Sequence, residues 1–451
     1  MDLTRRQLLA GAGSVGLLAF LAGCAPGGGG SPTTDIDFWY AFADARQRDY
    51  FTRHFVEDYA GSGRVKLSVK SVDTLTRLTQ TALAAGKGPD IVVTPGPSQI
   101  GAYTRAGYLT DLSDAASRFG WDKAFSPWAL QASSFDGKLM TLPTSYESLV
   151  MYTVPETLSG LGVEVPASGE QFEDFCREAA GRGLVPVAAG NADYKGANEW
   201  FLTMVFNHYA GPDAVYSALR GETAWTDPVF VESVTKLADW FQQGWFGGGV
   251  DAYFTNQFPK VYQQLASGEA ASMISGTWEF ASLGEYFTAA AGDAKAWDWS
   301  TLPPLREGVP ADVFSLGIGQ STGVNAKSRT AAASLEYLDF LTTDVKTIAA
   351  AVEEIDFQPP PIALAAADFT ANADPRTVRL YTELPTAKTI GYTSWTFFPQ
   401  ETESYLITEI EKVFTGSQTP AAFLDGMQEI FAGELSSGGV PQAPSPSGLT
   451  S

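Results

Sequence analysis

Trp39 and Tyr40 stand together at the end of an alternating run, Asp35-Ile36-Asp37-Phe38-Trp39-Tyr40, that reads as a first strand. Trp278 follows a second strand-like run over residues 271–275, and Trp395 lies in Tyr392-Thr393-Ser394-Trp395, a loop ahead of a helix. The chain holds 11 Trp and 17 Tyr, many of them where strands end and loops begin. Strand ends are where α/β sheets bind ligands. An aromatic face stacks on the apolar C–H face of a sugar ring, while carboxylates, amides and hydroxyls pair its OH groups. The chemistry these residues suit is reversible capture of a hydroxylated solute. A core tryptophan is the competing role for Trp278, but its place at a strand end favours the cleft. Asp44 has two compatible uses, capping the helix that follows it and reaching the ligand.

Other chemistries find little to work with. No nucleophile elbow, zinc signature or nucleotide loop appears; Gly11-Ala12-Gly13 falls in the leader and Gly317-Ile318-Gly319 inside a strand. The only histidines are His54 and His208, and the only cysteines are Cys24 and Cys176, so neither a disulfide framework nor a Cys/His metal cluster can be built. Cys176, in Phe172-Glu173-Asp174-Phe175-Cys176, reads as a buried helix residue. No catalytic residue, metal or cofactor is expected. A secreted glycosidase remains the alternative from another class; it needs two carboxyl groups at a set separation, and no segment supplies such a pair. The formal charge of −22 repels nucleic acid and anionic lipid surfaces.

The first thirty residues read as an address. Arg5 and Arg6 precede an apolar run over residues 8–23, which ends at Leu21-Ala22-Gly23-Cys24. That run is too short to span a bilayer comfortably and resembles a bacterial lipoprotein signal, with a partial twin-arginine pattern that leaves the Sec route open. The resemblance implies cleavage after residue 23 and lipidation of Cys24, with two or three acyl chains giving lasting attachment where one would not. Residues 24–34, rich in Gly and Pro, form a flexible tether.

Beyond the tether, short β runs alternate with amphipathic helices, the pattern of an α/β fold. Phe51, Phe55 and Tyr59 recur at four-residue spacing, Val65, Leu67 and Val69 alternate, and residues 90–94 form a buried run, making βαβαβ with a largely parallel sheet. Asp227-Pro228, Asp374-Pro375 and Thr419-Pro420 mark later helix starts. Residues 436–451, mostly Gly, Ser and Pro, are expected to be a disordered tail.

Several motifs, in order, resemble the extracellular solute-binding proteins of ABC importers, in the maltose-binding-protein-like branch. They are Gly88-Pro89-Asp90-Ile91-Val92, Gly107-Tyr108-Leu109-Thr110-Asp111-Leu112, Asp136-Gly137-Lys138 with Pro143, Glu147 and Tyr152, and Gly268-Glu269-Ala270-Ala271 with Gly276-Thr277-Trp278. Thr322-Gly323-Val324-Asn325 and Tyr337-Leu338-Asp339-Phe340-Leu341 complete the set. The resemblance implies two α/β lobes, three hinge crossovers near residues 143–145, 303–310 and 358–361, and a cleft between the lobes. Lobe 1 would take residues 35–143 and 310–358, and lobe 2 residues 144–309 and 359–435. It further implies a carbohydrate ligand, membrane-embedded permease subunits as partners, a monomeric state, and extracytoplasmic location through the Cys24 lipid. Carried over residue by residue, it makes Glu147 the acidic hinge residue beside Tyr146, and Trp200 an aromatic ligand contact. Many relatives carry an acid in the loop that here reads Pro95-Gly96-Pro97-Ser98-Gln99, so Ser98 and Gln99 would hydrogen-bond hydroxyls without a carboxylate. A polyol phosphate, peptide or polyamine in the same fold is the alternative; clustered carboxylates with aromatics would suit the polyamine.

Overall fold

The computed structural model describes residues 35–42, 44–287 and 296–448. The leader, the tether and Cys24 lie outside these residues. Strand β1 (Asp35–Tyr40) runs parallel to β2 (Arg64–Val69) on one side and β3 (Ile91–Thr94) on the other. The connections are a helix over Ala45–Phe51, prolonged by a wider turn over Thr52–Glu57, and a second over Val72–Ala84. Phe51 and Phe55 lie on the face that meets Ile36, Phe38 and Ile91, all of them buried. Four-residue spacing did its work here by keeping those rings on one side.

Asp136 and Gly137, both with positive φ, turn the small hairpin of β4 (Ser134–Phe135) and β5 (Lys138–Leu139). The remaining strands are β6 (Leu142–Thr153), β7 (Val185–Ala188), β8 (Ala270–Gly276), β9 (Asp298–Ser300), β10 (Phe314–Val324) and β11 (Ile390–Tyr392). Among the described residues one sheet runs β2-β1-β3-β10-β6-β8-β7, with β11 added to β10 and β9 to β6. Asp227, Asp374 and Thr419 cap the helices Pro228–Gln242, Pro375–Glu383 and Pro420–Ser436, each with proline in the first turn where its missing N–H costs nothing.

Two strands belong to both halves of the sheet. The start of β6 pairs with β10 beside β3, and its end, Leu149 to Thr153, pairs with β8. In β10 the order is reversed: Phe314 to Leu316 pair with β11, and Ser321 to Val324 pair with β3. The register between β6 and β10 slips between Gly317 and Ser321, so the ladder breaks where the chain passes from one half to the other. A third passage runs alongside, where the Tyr146 N–H donates to the Pro359 carbonyl at 3.0 Å.

Two expectations need correction. Residues 303–310 do not carry the second crossing. Leu305 donates to the His208 carbonyl at 2.7 Å and Arg306 to those of Tyr209 and Ala210, so this loop packs on one half and the passage falls within β10. The C-terminal stretch is ordered through residue 448. Pro446 accepts from the Ile390 N–H at 3.0 Å, Pro444 from the Tyr392 hydroxyl at 2.5 Å, and Ala443 is buried. Proline lacks a donor but keeps its carbonyl, so a proline-rich segment can cover the open edge of β11.

Gly96, two residues past the end of β3, has φ +129°, and a Cβ there would sit 2.5 Å from the Ile318 carbonyl of the slipped β10. Gly96→Ala should therefore cost roughly 2 kcal/mol or more, from left-handed strain together with backbone overlap. Gly120→Ala, also at positive φ but facing open space, should cost only about 1 kcal/mol. Urea midpoints of the two variants measure the difference; equal losses would mean the contact with β10 is slack.

Candidate binding site

At the passage between the halves lies a cavity of about 570 Å³. Trp200 comes from the helix Ala197–Val205, Trp278 follows β8, and Trp395 lies in the short helix Ser394–Phe397. These three line it with Tyr194, Phe258 and Tyr262. The rings brace one another: Trp200 lies 5.2 Å from Trp278 and is stacked on Phe258 at 6.0 Å, while Trp278 meets Trp395 edge-on at 5.9 Å. Such offsets and edges are the favoured aromatic geometries, so the wall is set before any ligand arrives.

Two indole N–H groups are already committed. Trp395 Nε1 donates to Glu147 Oε1 at 2.8 Å, and Trp278 Nε1 to Glu279 Oε1 at 3.1 Å. Gln358 Nε2, from the third passage, donates to the other oxygen of Glu147 at 3.0 Å. Glu279 also accepts from Tyr262 OH (2.6 Å) and Ser275 Oγ (2.8 Å). Glu199 accepts from Ser394 Oγ at 2.5 Å through Oε2, and its Oε1 has no hydrogen-bond donor among the described residues. Glu403, from the helix Gln400–Phe414, completes a set of four cavity carboxyls.

All four hold their protons more tightly than a solvated carboxyl. Burial is the main cause at Glu147, raised to about 7 against the donors from Gln358 and Trp395. Burial, then the neighbouring Glu403 and Glu147, pushes Glu199 well up; burial, then Glu434, raises Glu403 to about 8. Burial outweighs the hydrogen bonds at Glu279 as well. A second compartment of about 380 Å³ shares Glu147, Trp278, Ser282 and Gly319 with the first, and adds Tyr40, Ser145, Gln320 and Gln358. Gly319 is required at the junction, since a Cβ there would come within 2.6 Å of Glu147 Oε2.

Of the residues singled out in the sequence, Ser98, Gln99, Glu147, Trp200, Trp278 and Trp395 line the first compartment, and Tyr40 the second, its hydroxyl donating to Gln320 at 2.8 Å. Three lie elsewhere. Trp39 points to the opposite face of β1 from Tyr40, under the Lys70 ammonium and bonded to Asp37. Tyr146 alternates away from Ser145 and Glu147 and is buried against Tyr381. Asp44 caps its helix, accepting from the Gln47 N–H at 2.8 Å, and does not reach either compartment. The sequence reading missed Glu199, Glu279 and Glu403. A signal existed for the first: it is the one acid in a nine-residue helix whose residues are all buried.

The fold has well-defined counterparts. A chitin oligosaccharide binding protein superposes with a TM-score of 0.72 over 88% of this chain and 98% of its own, at 20% identity. A cyclo/maltodextrin-binding protein complexed with maltotetraose gives 0.65 over 90% and 99%, at 18% identity. At such identities the likeness is one of fold: two lobes with a cleft between them. The maltodextrin-binding protein MdxE of Bacillus subtilis is 25% identical over 218 residues, which are 45% of this chain and 46% of that relative, so the match spans less than half of either protein.

The buried acids fix the direction of a pH effect. Each has a folded pKa above its unfolded value of about 4.3, so the folded state binds more protons and that stabilisation is complete below the unfolded value. It is lost as pH rises through about 7 for Glu147 and about 8 for Glu403. The thermal midpoint of the ligand-free protein should fall between pH 5 and 8, less steeply in Glu403→Gln; a midpoint that climbs over that range would contradict the burial of these groups. The sheet, its three passages and the cleft they enclose agree with a sequence model, described as bacterial extracellular solute-binding protein, that matches residues 30–347, and this chain belongs to that family.

Proposed function

We propose that this chain is the capture component of an ABC-type importer and holds a mono- or oligosaccharide in the cleft. The observation that carries the reading is a cavity walled by braced indole and phenol rings, with carboxyl, amide and hydroxyl groups between them. Ring faces suit the C–H faces of a pyranose, and the oxygens of Glu199 and Glu403, with Ser98 and Gln99 from the opposite side, suit its hydroxyls. Relatives named for maltodextrin and chitin oligosaccharide support the same ligand class. The ligand contacts in this reading are Tyr40, Ser98, Gln99, Glu147, Trp200, Trp278 and Trp395, joined by Tyr194, Glu199 and Glu403.

The lobes that close are residues 35–143 with 310–358 and 144–309 with 359–435, their limit in β10 shifted to Gly317–Gln320. Closure brings the two sets of donors and acceptors onto one guest, so a ligand selects the closed form. The chain acts as a monomer that delivers its load to permease subunits, without a catalytic step. It is tethered outside the cytoplasm by lipid on Cys24.

Two measurements test this. Trp278→Ala should weaken binding of the best saccharide found in a calorimetric panel by roughly 30-fold, since a stacked ring contributes on the order of 2 kcal/mol, while Trp39→Phe leaves it unchanged. Silence across the panel, or sustained hydrolysis of a glycoside, would overturn the reading. Cys24→Ser should move the protein from the membrane fraction to the soluble one; unchanged membrane association would remove the lipid tether.

A further inference from the structure

The chemistry of the cleft is lopsided in charge. Four glutamates line the first compartment, and no lysine or arginine lines either compartment among the described residues. The bases close by already have acidic partners: Lys195 pairs with Glu411 at 3.2 Å, and Arg46 with Asp356 of the second compartment at 3.1 Å. A neutral hydroxyl has one O–H to donate and two lone pairs that accept, so hydroxyls alone do not call for a charged set made up only of acids.

Two further features point to the missing partner. Glu199 is 1% exposed, yet its Oε1 has no donor among the described residues while its side chain lines the cavity. Glu403 lines the same corner, and its carboxyl has no hydrogen-bond donor either among the described residues. Carboxyl oxygens that face a cavity without a protein donor are open to one from a guest. Tyr194, 51% exposed, lines the cavity with these acids and offers a π face, the surface that attracts an ammonium group, while Trp200, 6.3 Å from it and stacked on Phe258, backs it. The acids are too widely set to chelate an ion; no three described His, Cys, Asp or Glu side chains are grouped to hold a metal.

We propose that the saccharide bound here carries a protonated amine, and that its ammonium sits in the corner formed by Glu199, Glu403, Tyr194 and Trp200. This rests on the saccharide reading above and narrows it to amino sugars. The ammonium supplies three donors to acids that lack them, and the aromatic faces take up the part of the cation that the carboxyls leave uncovered. The second compartment adds the hydroxyls and amides of Tyr40, Ser145, Gln320 and Gln358 to Glu147 and Asp356, whose carboxyls already have protein partners, and receives an adjoining neutral portion.

A matched set of ligands tests it by calorimetry on the full folded domain: glucosamine oligomers, their N-acetylated counterparts of the same length, and spermidine. The glucosamine series should bind at least about tenfold more tightly than the acetylated one, since a charge-assisted bond is about twice as strong as a neutral one. Glu403→Gln should weaken both series but the glucosamine series far more, shrinking the preference to about threefold or less, and Glu403→Asp should restore part of it. Equal or tighter binding of the acetylated series would overturn the amine and leave the saccharide reading standing. Binding of spermidine with no response to either sugar series would overturn both.

Discussion

The cost of burying the Glu147 carboxyl governs the arrangement around the hinge. Glu147 lies on β6 where the strand passes between halves, and the residue is 7% exposed. An unpaired carboxylate in that place would be strongly unfavourable. It is met by one donor from each neighbouring segment: Gln358 on the third passage and Trp395 in the short helix after β11. On the β10 side only a glycine, Gly319, leaves room for it. One acid therefore ties together the three passages of the chain and orients one of the ring walls.

The same arrangement repeats at Glu279, which holds Trp278 and Tyr262 as Glu147 holds Trp395. In both cases the indole N–H is spent on a carboxyl that the protein itself supplies. The ring faces and the remaining oxygens are what the wall presents to a guest. The indole donors thus serve to fix ring orientation.

Much of this was legible in the sequence, for reasons that differ by element. The βαβαβ start follows from Phe51, Phe55 and the alternation of Val65 and Leu67, because local periodicity reports which face is buried. Trp278 and Trp395 were legible from position, at the end of a strand and in a loop before a helix. Trp39 and Tyr146 were not resolved from Tyr40 and Glu147, since adjacent residues on a strand face opposite ways and sequence alone does not say which faces the cleft. Glu403 was hidden altogether. It sits in a helix with Glu401, Glu409 and Glu411, so an acid there reads as one more solvated charge until tertiary packing brings that turn to the cavity. The C-terminal segment was misjudged because composition reports what a segment cannot form on its own, while its carbonyls satisfy an edge supplied by distant residues.

Charge and the cleft are coupled by these acids. Burial first, and then the neighbouring Glu403 and Glu147, raises the pKa of Glu199, so the four carboxyls are already drawn from water and set close to one another. Glu147 and Glu279 offset that desolvation with donors from the protein itself, whereas Glu199 and Glu403 keep oxygens facing the cavity. The strand crossing and the cavity are thus not separable parts: Glu147, at the crossing of the strands, also lines both compartments.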